Sequence, residues 1–285
     1  MIATTVVSAS DLAEVIDRLD VIVVDCRHQL ADPNACKRAF QAAHLPGARY
    51  ADLHHNLADL TRPGLGRHPL PDNATLMQWL ADIGWTPSHH VVAYDDAGGA
   101  LAAARMWWML RLIGHRKTSV LDGGIRAWQA SGHPLTSEMP SVACSEVVER
   151  VWSPDALVDY DALQLGLRSG SLLLVDARAT PRFRGEVEPI DAIAGHVPGA
   201  RNRPFSDNLG GNGLFKSELE LREEWLALLG DHAPENVVHM CGSGVTACHN
   251  LLAMEYAGLT GSRLFAPSWS GWISDPARPV ASGDA

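Results

Sequence analysis

His44-Leu45-Pro46-Gly47-Ala48-Arg49 returns about 150 residues later as His196-Val197-Pro198-Gly199-Ala200-Arg201, and this match decides the architecture. Around it Val23-Val24-Asp25-Cys26-Arg27 is answered by Leu174-Val175-Asp176-Ala177-Arg178, Val91-Val92-Ala93-Tyr94 by Val237-Val238-His239-Met240, and Ile125-Arg126-Ala127-Trp128 by Trp269-Ser270-Gly271-Trp272. Self-similarity in the same order means one unit built twice. In each copy short apolar runs (residues 21–24, 91–94, 172–175 and 237–240) alternate with helix-period segments (11–19, 101–113 and 245–256). Buried strands separated by helices predict an α/β fold, each half a mostly parallel sheet with helices on both faces. Residues 136–152 carry Pro140 and small polar residues without a long apolar period. They supply the linker, so the expected domains are 1–138 and 153–285, joined by 139–152.

The chain has 285 residues, 46% hydrophobic and 20% charged, an ordinary globular composition that excludes disorder, collagen and coiled coil. The net charge of −10 is split as −2 up to residue 140 and −8 after it, which argues against a nucleic-acid groove. The first 25 residues carry Asp11, Glu14, Asp17 and Asp20 and lack a basic, then apolar, leader pattern. No stretch has the run of about 18 uncharged apolar residues that a membrane span needs. The expectation is a cytoplasmic protein without nucleic-acid or membrane partners. Five scattered cysteines, an odd number, suit reduced thiols better than a disulfide framework.

After the strand ending at Met240 comes Cys241-Gly242-Ser243-Gly244-Val245-Thr246-Ala247, opening a helix. Two glycines within three residues let the backbone turn tightly, so that successive N–H groups and the positive helix end converge on the sulfur. Such surroundings favour thiolate over thiol. The first copy has Asp95 where Cys241 stands, in Tyr94-Asp95-Asp96-Ala97-Gly98-Gly99-Ala100, so the nucleophile belongs to the second half alone. Cysteine phosphatases also cradle a thiolate, but they need an arginine six residues on, where this chain has Ala247.

With these motifs the sequence resembles the tandem rhodanese-domain sulfurtransferases, an inactive domain followed by an active one. The resemblance also rests on Trp107-Trp108-Met109, Leu121-Asp122-Gly123-Gly124 and Ser268-Trp269-Ser270-Gly271-Trp272, and it runs over nearly the whole chain. It implies two tandem rhodanese-like domains, no cofactor and no metal. It also implies a ping-pong reaction in which Cys241 takes a sulfane sulfur as a persulfide and passes it to cyanide, a small thiol or thioredoxin. Thiosulfate-type members carry Arg-Lys after the cysteine; here Gly242 and Ser243 resemble the mercaptopyruvate type. The implied donor is 3-mercaptopyruvate, with thiosulfate as the alternative and a non-catalytic binding module as the reading of another class.

The resemblance assigns Arg182, in Arg182-Phe183-Arg184-Gly185, to the donor's carboxylate, which a guanidinium grips in bidentate fashion. Gly242, Gly244 and Val245 are the expected substrate-binding loop, and the Ser243 and Thr246 hydroxyls are expected to help protonate the departing enolate or steady the sulfur. A second arginine usually follows Glu188-Pro189, but Ile190 stands there, leaving Arg184 as the replacement. Ala266-Pro267 departs from the usual acidic and small pair ahead of Ser268. Because His44 and His196 recur, a structural hydrogen bond is their first reading; the resemblance adds His44 with Asp32 as a proton-handling pair. Cys248 reads as core, with a resolving thiol as the alternative. His54-His55 and His89-His90 read as solvated loop histidines rather than zinc ligands.

Overall fold

The computed structural model describes residues 2–3, 5–29 and 32–284, apart from the side chain of Pro33. The chain divides into two compact units, Met1–Asp59 with Leu70–Ser153, and Leu60–Pro69 with Pro154–Ala285. Among the described residues no helix is long and apolar enough to cross a membrane.

In the first unit the elements are β1 (Val6–Val7), α1 (Ala9–Ala13), β2 (Val21–Asp25), α2 (Pro33–Ala42), β3 (Arg49–Tyr50), α3 (Asn73–Asp82), β4 (His90–Tyr94), α4 (Ala103–Leu112), β5 (Thr118–Leu121) and α5 (Gly124–Ala130). The strands form one parallel sheet in the order β1-β5-β4-β2-β3. Every residue of β2 and β4 is buried, which explains why both read as continuous apolar runs without alternation. The second unit holds α6 (Tyr160–Ser169), β6 (Leu173–Asp176), α7 (Thr180–Phe183), β7 (Arg201–Asn202), α8 (Glu218–Leu229), β8 (Val237–Met240), α9 (Ala247–Tyr256), β9 (Arg263–Leu264) and α10 (Ser268–Trp272). Its parallel sheet has the order β7-β6-β8-β9. The α/β expectation of two helix-flanked parallel sheets is met. Each core is clasped by aromatic side chains: Phe40, Tyr94 and Trp128 in the first, Phe183, Phe265, Trp269 and Trp272 in the second.

The repeated residues do the same work twice. Arg27 forks onto Asp25 and donates to the Ala43 carbonyl; Arg178 forks onto Asp176 and donates to the Gly195 carbonyl. His44 stacks on Phe40 and His196 on Phe183, and the backbone of each pairs with a late segment of its own unit, at Thr136 and Ala281. His44 spends both ring nitrogens on carbonyls, Nδ1 on Phe40 at 2.6 Å and Nε2 on Glu138 at 3.1 Å. Asp32 instead caps α2, accepting from the Asn34 N–H and pairing with Arg38. The structure therefore does not join His44 to Asp32.

Two local expectations are corrected. The helix expected over 11–19 is α1, which Ser8 caps by accepting from the Asp11 N–H and which stops after Ala13. Beyond it the backbone bonds shorten to three-residue turns, Val15 to Leu12 and Arg18 to Val15, and Leu19 is 96% exposed with no apolar surface to meet. His90 is not a solvated loop residue either: it opens β4, buried, with Nε2 against Ser119 Oγ at 2.7 Å.

Burial holds the His90 and His115 imidazoles down at about 4 and that of His239 at about 3, below the ordinary 6.5. Below pH 6.5 the unfolded chain takes up protons that the folded chain refuses, so stability is full above that value and falls as the pH drops toward 4. For His239 alone the limiting slope is about 1.4 kcal/mol per pH unit. Urea unfolding at about pH 7.5 and about pH 5 checks this. A midpoint clearly lower at the acid value is expected, and equal midpoints contradict it.

Candidate active site

β8 and β6 are neighbours, and their connections leave toward opposite edges of the sheet, to β9 and β7. Open parallel sheets bind ligands just past the carboxyl ends of such a strand pair. Cys241 follows β8 directly and is 2% exposed. The Gly244 N–H donates to its Sγ at 3.1 Å, and among the described residues it is the one amide recorded on the sulfur. Gly244 has φ +78°, and a Cβ there would run into the Ala266 carbonyl, so the loop closes over the sulfur only with glycine. This contact is also where Ala266 enters the site. Val245 is buried, its carbonyl accepting from the Cys248 N–H, and Thr246 opens α9 without a capping bond from its hydroxyl. Cys248 is fully buried on α9, with Sγ 3.4 Å from the Gly244 carbonyl.

The first unit shows what this loop does with a fixed charge. Asp95 is fully buried after β4, and its carboxylate accepts from five amides, Ala97, Gly99, Leu101, Ala102 and Ala103, at 2.8 to 3.3 Å. Burial pushes this carboxyl up, against the opposing bonds from the Ala97, Gly99, Leu101 and Ala103 amides. The duplicated loop is thus an anion cradle plugged by its own side chain.

Ser268 fixes the cysteine from the other side. Its Oγ accepts from the Cys241 N–H and donates to the Phe265 carbonyl, each at 3.1 Å, while the Trp269 N–H donates to the Cys241 carbonyl. Among the described residues it is the one non-glycine at positive φ, +54°; its counterpart in the first unit is Gly124, at φ +58°. A side chain there costs about 1–2 kcal/mol, so the hydroxyl is retained for what it holds. Ser268→Gly is expected to recover the thermal stability lost in Ser268→Ala while both lower kcat about tenfold, one lost hydrogen bond's worth. Wild-type kcat in Ser268→Gly contradicts a positioning role.

Two arginines stand over the loop. A Cβ on Gly242 would lie 3.2 Å from Arg67 Nη2 and 3.6 and 3.7 Å from the two terminal nitrogens of Arg182. Arg182 forks onto Glu188 and reaches Asp191 at 3.1 Å; Arg67 reaches the same Asp191 at 2.5 Å. Burial pushes the Glu188 carboxyl up, but the Arg182 fork and the Ile190 and Asp191 N–H groups outweigh it and hold it below the usual range. Asp191 and Glu188 are each 4% exposed and aim the guanidiniums, while Arg182 Nη1 and Arg67 Nη2 keep no partner among the described residues.

Arg184, expected as the second cation, turns away to Asp284 and Glu186 near the surface. The second cation beside the loop is Arg67 instead. Its neighbour His68 is buried, with Nδ1 2.8 Å from Ser243 Oγ. Both belong to Leu60–Pro69, a segment absent from every repeated motif. Gly66, at φ +88°, seats this segment against the Pro267 carbonyl, and Ser270 Oγ accepts from the Arg67 N–H at 2.9 Å. Arg67 and His68 carry no repeat signature, because nothing in the second copy answers them; the adjacent Gly66-Arg67-His68 is the one local signal the sequence holds.

The loop, its plugged counterpart and the twin sheets coincide with a known domain model, the rhodanese-like domain, which matches residues 8–131 and again 159–275. The chain belongs to the rhodanese family. It is 46% identical over its whole length to the "Probable 3-mercaptopyruvate sulfurtransferase" of Pseudomonas aeruginosa, which it also covers in full. It is 37% identical to the human 3-mercaptopyruvate sulfurtransferase, over 83% of this chain and 79% of that one. Among solved structures, SseA from Escherichia coli, described as a 3-mercaptopyruvate sulfotransferase, superposes with a TM-score of 0.81 at 30% identity, covering 94% of this chain and all of that one. This tandem rhodanese is an enzyme, a sulfurtransferase.

Proposed function

We propose that the enzyme moves a sulfur atom from 3-mercaptopyruvate through a persulfide on Cys241 to a thiol or to cyanide. The observation that carries this reading is the pair of arginine nitrogens, Arg67 Nη2 and Arg182 Nη1, facing Gly242 one residue from the nucleophile. Two guanidiniums held by carboxylates suit a donor whose carboxylate is separated from its reacting sulfur by a short chain.

Cys241 Sγ, as thiolate, attacks the donor sulfur; the sulfur–sulfur bond forms as the carbon–sulfur bond breaks, and the electron pair leaves on carbon as the enolate of pyruvate. The enolate takes a proton. In this reading Ser243 Oγ, two residues from Cys241, delivers it, with His68 as the reserve; its hydrogen bond to His68 Nδ1 supports this role. The outer sulfur of the persulfide then occupies the space that the Asp95 carboxylate fills in the first unit. An acceptor thiolate, small or from thioredoxin, attacks that sulfur, and the electron pair returns to Cys241.

Thiosulfate releases sulfite, which leaves as an anion and needs no proton. Two donors therefore test the reading. In the wild type kcat/KM is expected to be higher for 3-mercaptopyruvate, and Ser243→Ala is expected to lower kcat for that donor by about 100-fold or more, the smaller end of general-acid effects, while sparing thiosulfate. A wild type that prefers thiosulfate, or a Ser243→Ala that slows both donors equally, contradicts it.

A further inference from the structure

The first unit retains a cavity of about 390 Å³ past the carboxyl ends of β2 and β4. These strands are neighbours whose connections leave toward opposite edges, to β3 and β5, so the cavity lies at the first sheet's own ligand-binding position. Its walls come from the segment after β2, one face of α2, the loop after β4, and Arg126 of α5.

The cavity is not a spare sulfur-transfer site. The amide cradle beside it is closed by the Asp95 carboxylate. The thiol in its wall, Cys36, is buried, and burial together with the nearby Asp96 charge pushes it up, so it stays protonated and a poor nucleophile.

Fixed charges of both signs remain. Arg27, whose side chain is 9% exposed, spends Nε and Nη2 on Asp25 and the Ala43 carbonyl, and among the described residues Nη1 has no partner. The comparison with its repeat is direct: in Arg178 that same nitrogen reaches Glu188 at 3.5 Å. Arg126 is exposed at the cavity's rim and has no partner among the described residues, and Asp96 carries the opposite charge. The rest of the wall is mixed: His28 and Gln29 are polar, while Ala39 and Leu101 form an apolar side.

We propose that this cavity binds a free α-amino acid with a short apolar or thiol side chain, its carboxylate on Arg27 Nη1 and Arg126, its ammonium toward Asp96 and its side chain among Ala39, Cys36 and Leu101. A simple carboxylate would leave Asp96 facing an anion. A simple amine would leave the largely buried Arg27 guanidinium without an anion at Nη1.

Calorimetric titration of the full chain with L-2-aminobutyrate, which has no thiol to react, is the test, with butyrate and propylamine as partial probes. Saturable binding of L-2-aminobutyrate is expected, at least tenfold weaker for each partial probe and in Arg126→Ala, and lost in Ala39→Phe, which fills the space. Arg126 is exposed, so its removal leaves folding and sulfur transfer intact. Arg182→Ala, in the other unit, is expected to leave the binding unchanged. No saturable binding, butyrate binding as well as L-2-aminobutyrate, or loss in Arg182→Ala with retention in Arg126→Ala overturns the proposal.

Discussion

Cys241→Ser is expected to abolish turnover with 3-mercaptopyruvate and with thiosulfate alike, lowering kcat by about 10⁴-fold or more, as removal of a nucleophile does elsewhere. The substitution nearly keeps the volume and leaves an acceptor for the Gly244 N–H that donates to Sγ in the wild type, so the loop stays closed around an oxygen that neither ionises near neutrality nor forms a stable sulfur–oxygen carrier. Stability should hardly change. The result separates catalysis from the idea that both units are binding modules, in which loss of one thiol changes nothing. Steady-state rates with both donors at saturating acceptor read the outcome, and activity within tenfold of wild type removes Cys241 from the reaction.

Removing the two guanidiniums over Gly242 has the next largest effect. A charge-assisted hydrogen bond contributes about 1.5–3 kcal/mol, so Arg182→Ala and Arg67→Ala are each expected to lower kcat/KM for 3-mercaptopyruvate by about 10- to 100-fold, mostly through KM. The two share Asp191, which reaches Arg67 at 2.5 Å and Arg182 at 3.1 Å, so either single variant leaves that buried carboxylate half-paired. Their losses should therefore not add, the double variant falling short of the product of the singles. Thiosulfate, whose sulfonate is attached directly to the reacting sulfur, should suffer less. An unchanged KM for 3-mercaptopyruvate in Arg182→Ala takes that arginine out of the site.

What the sequence made legible follows from which interactions are local. β2, β4, β6 and β8 are buried on both faces and read as apolar runs, and the loop after β8 announces itself through Gly242 and Gly244 because a tight turn around a sulfur admits little else. Asp95 marked the first copy as lacking a nucleophile, but only the structure shows that its carboxylate gathers five amides and so keeps the duplicated loop in shape. The cation opposite Arg182 was invisible, since Arg67 arrives from a segment far away in the chain and without a copy. The same distance hid His68, while His44, which the repeat made conspicuous, holds a turn together by stacking on Phe40. Arg184 was plausible by proximity to Arg182, yet α7 ends between them and sends it outward to Asp284. Ser268 looked like one residue of a motif; its left-handed backbone, invisible in any one-dimensional reading, shows what the motif holds.

The proposed persulfide on Cys241 gives the most direct check. Wild-type chain incubated with 3-mercaptopyruvate in the absence of an acceptor, then digested without reductant, should show one added sulfur atom on the peptide containing Cys241, and none on those containing Cys26, Cys36 or Cys144. Addition of a thiol should remove it with the formation of the acceptor's persulfide. Pyruvate released with no sulfur retained on Cys241, or sulfur found instead on another cysteine, would contradict the account.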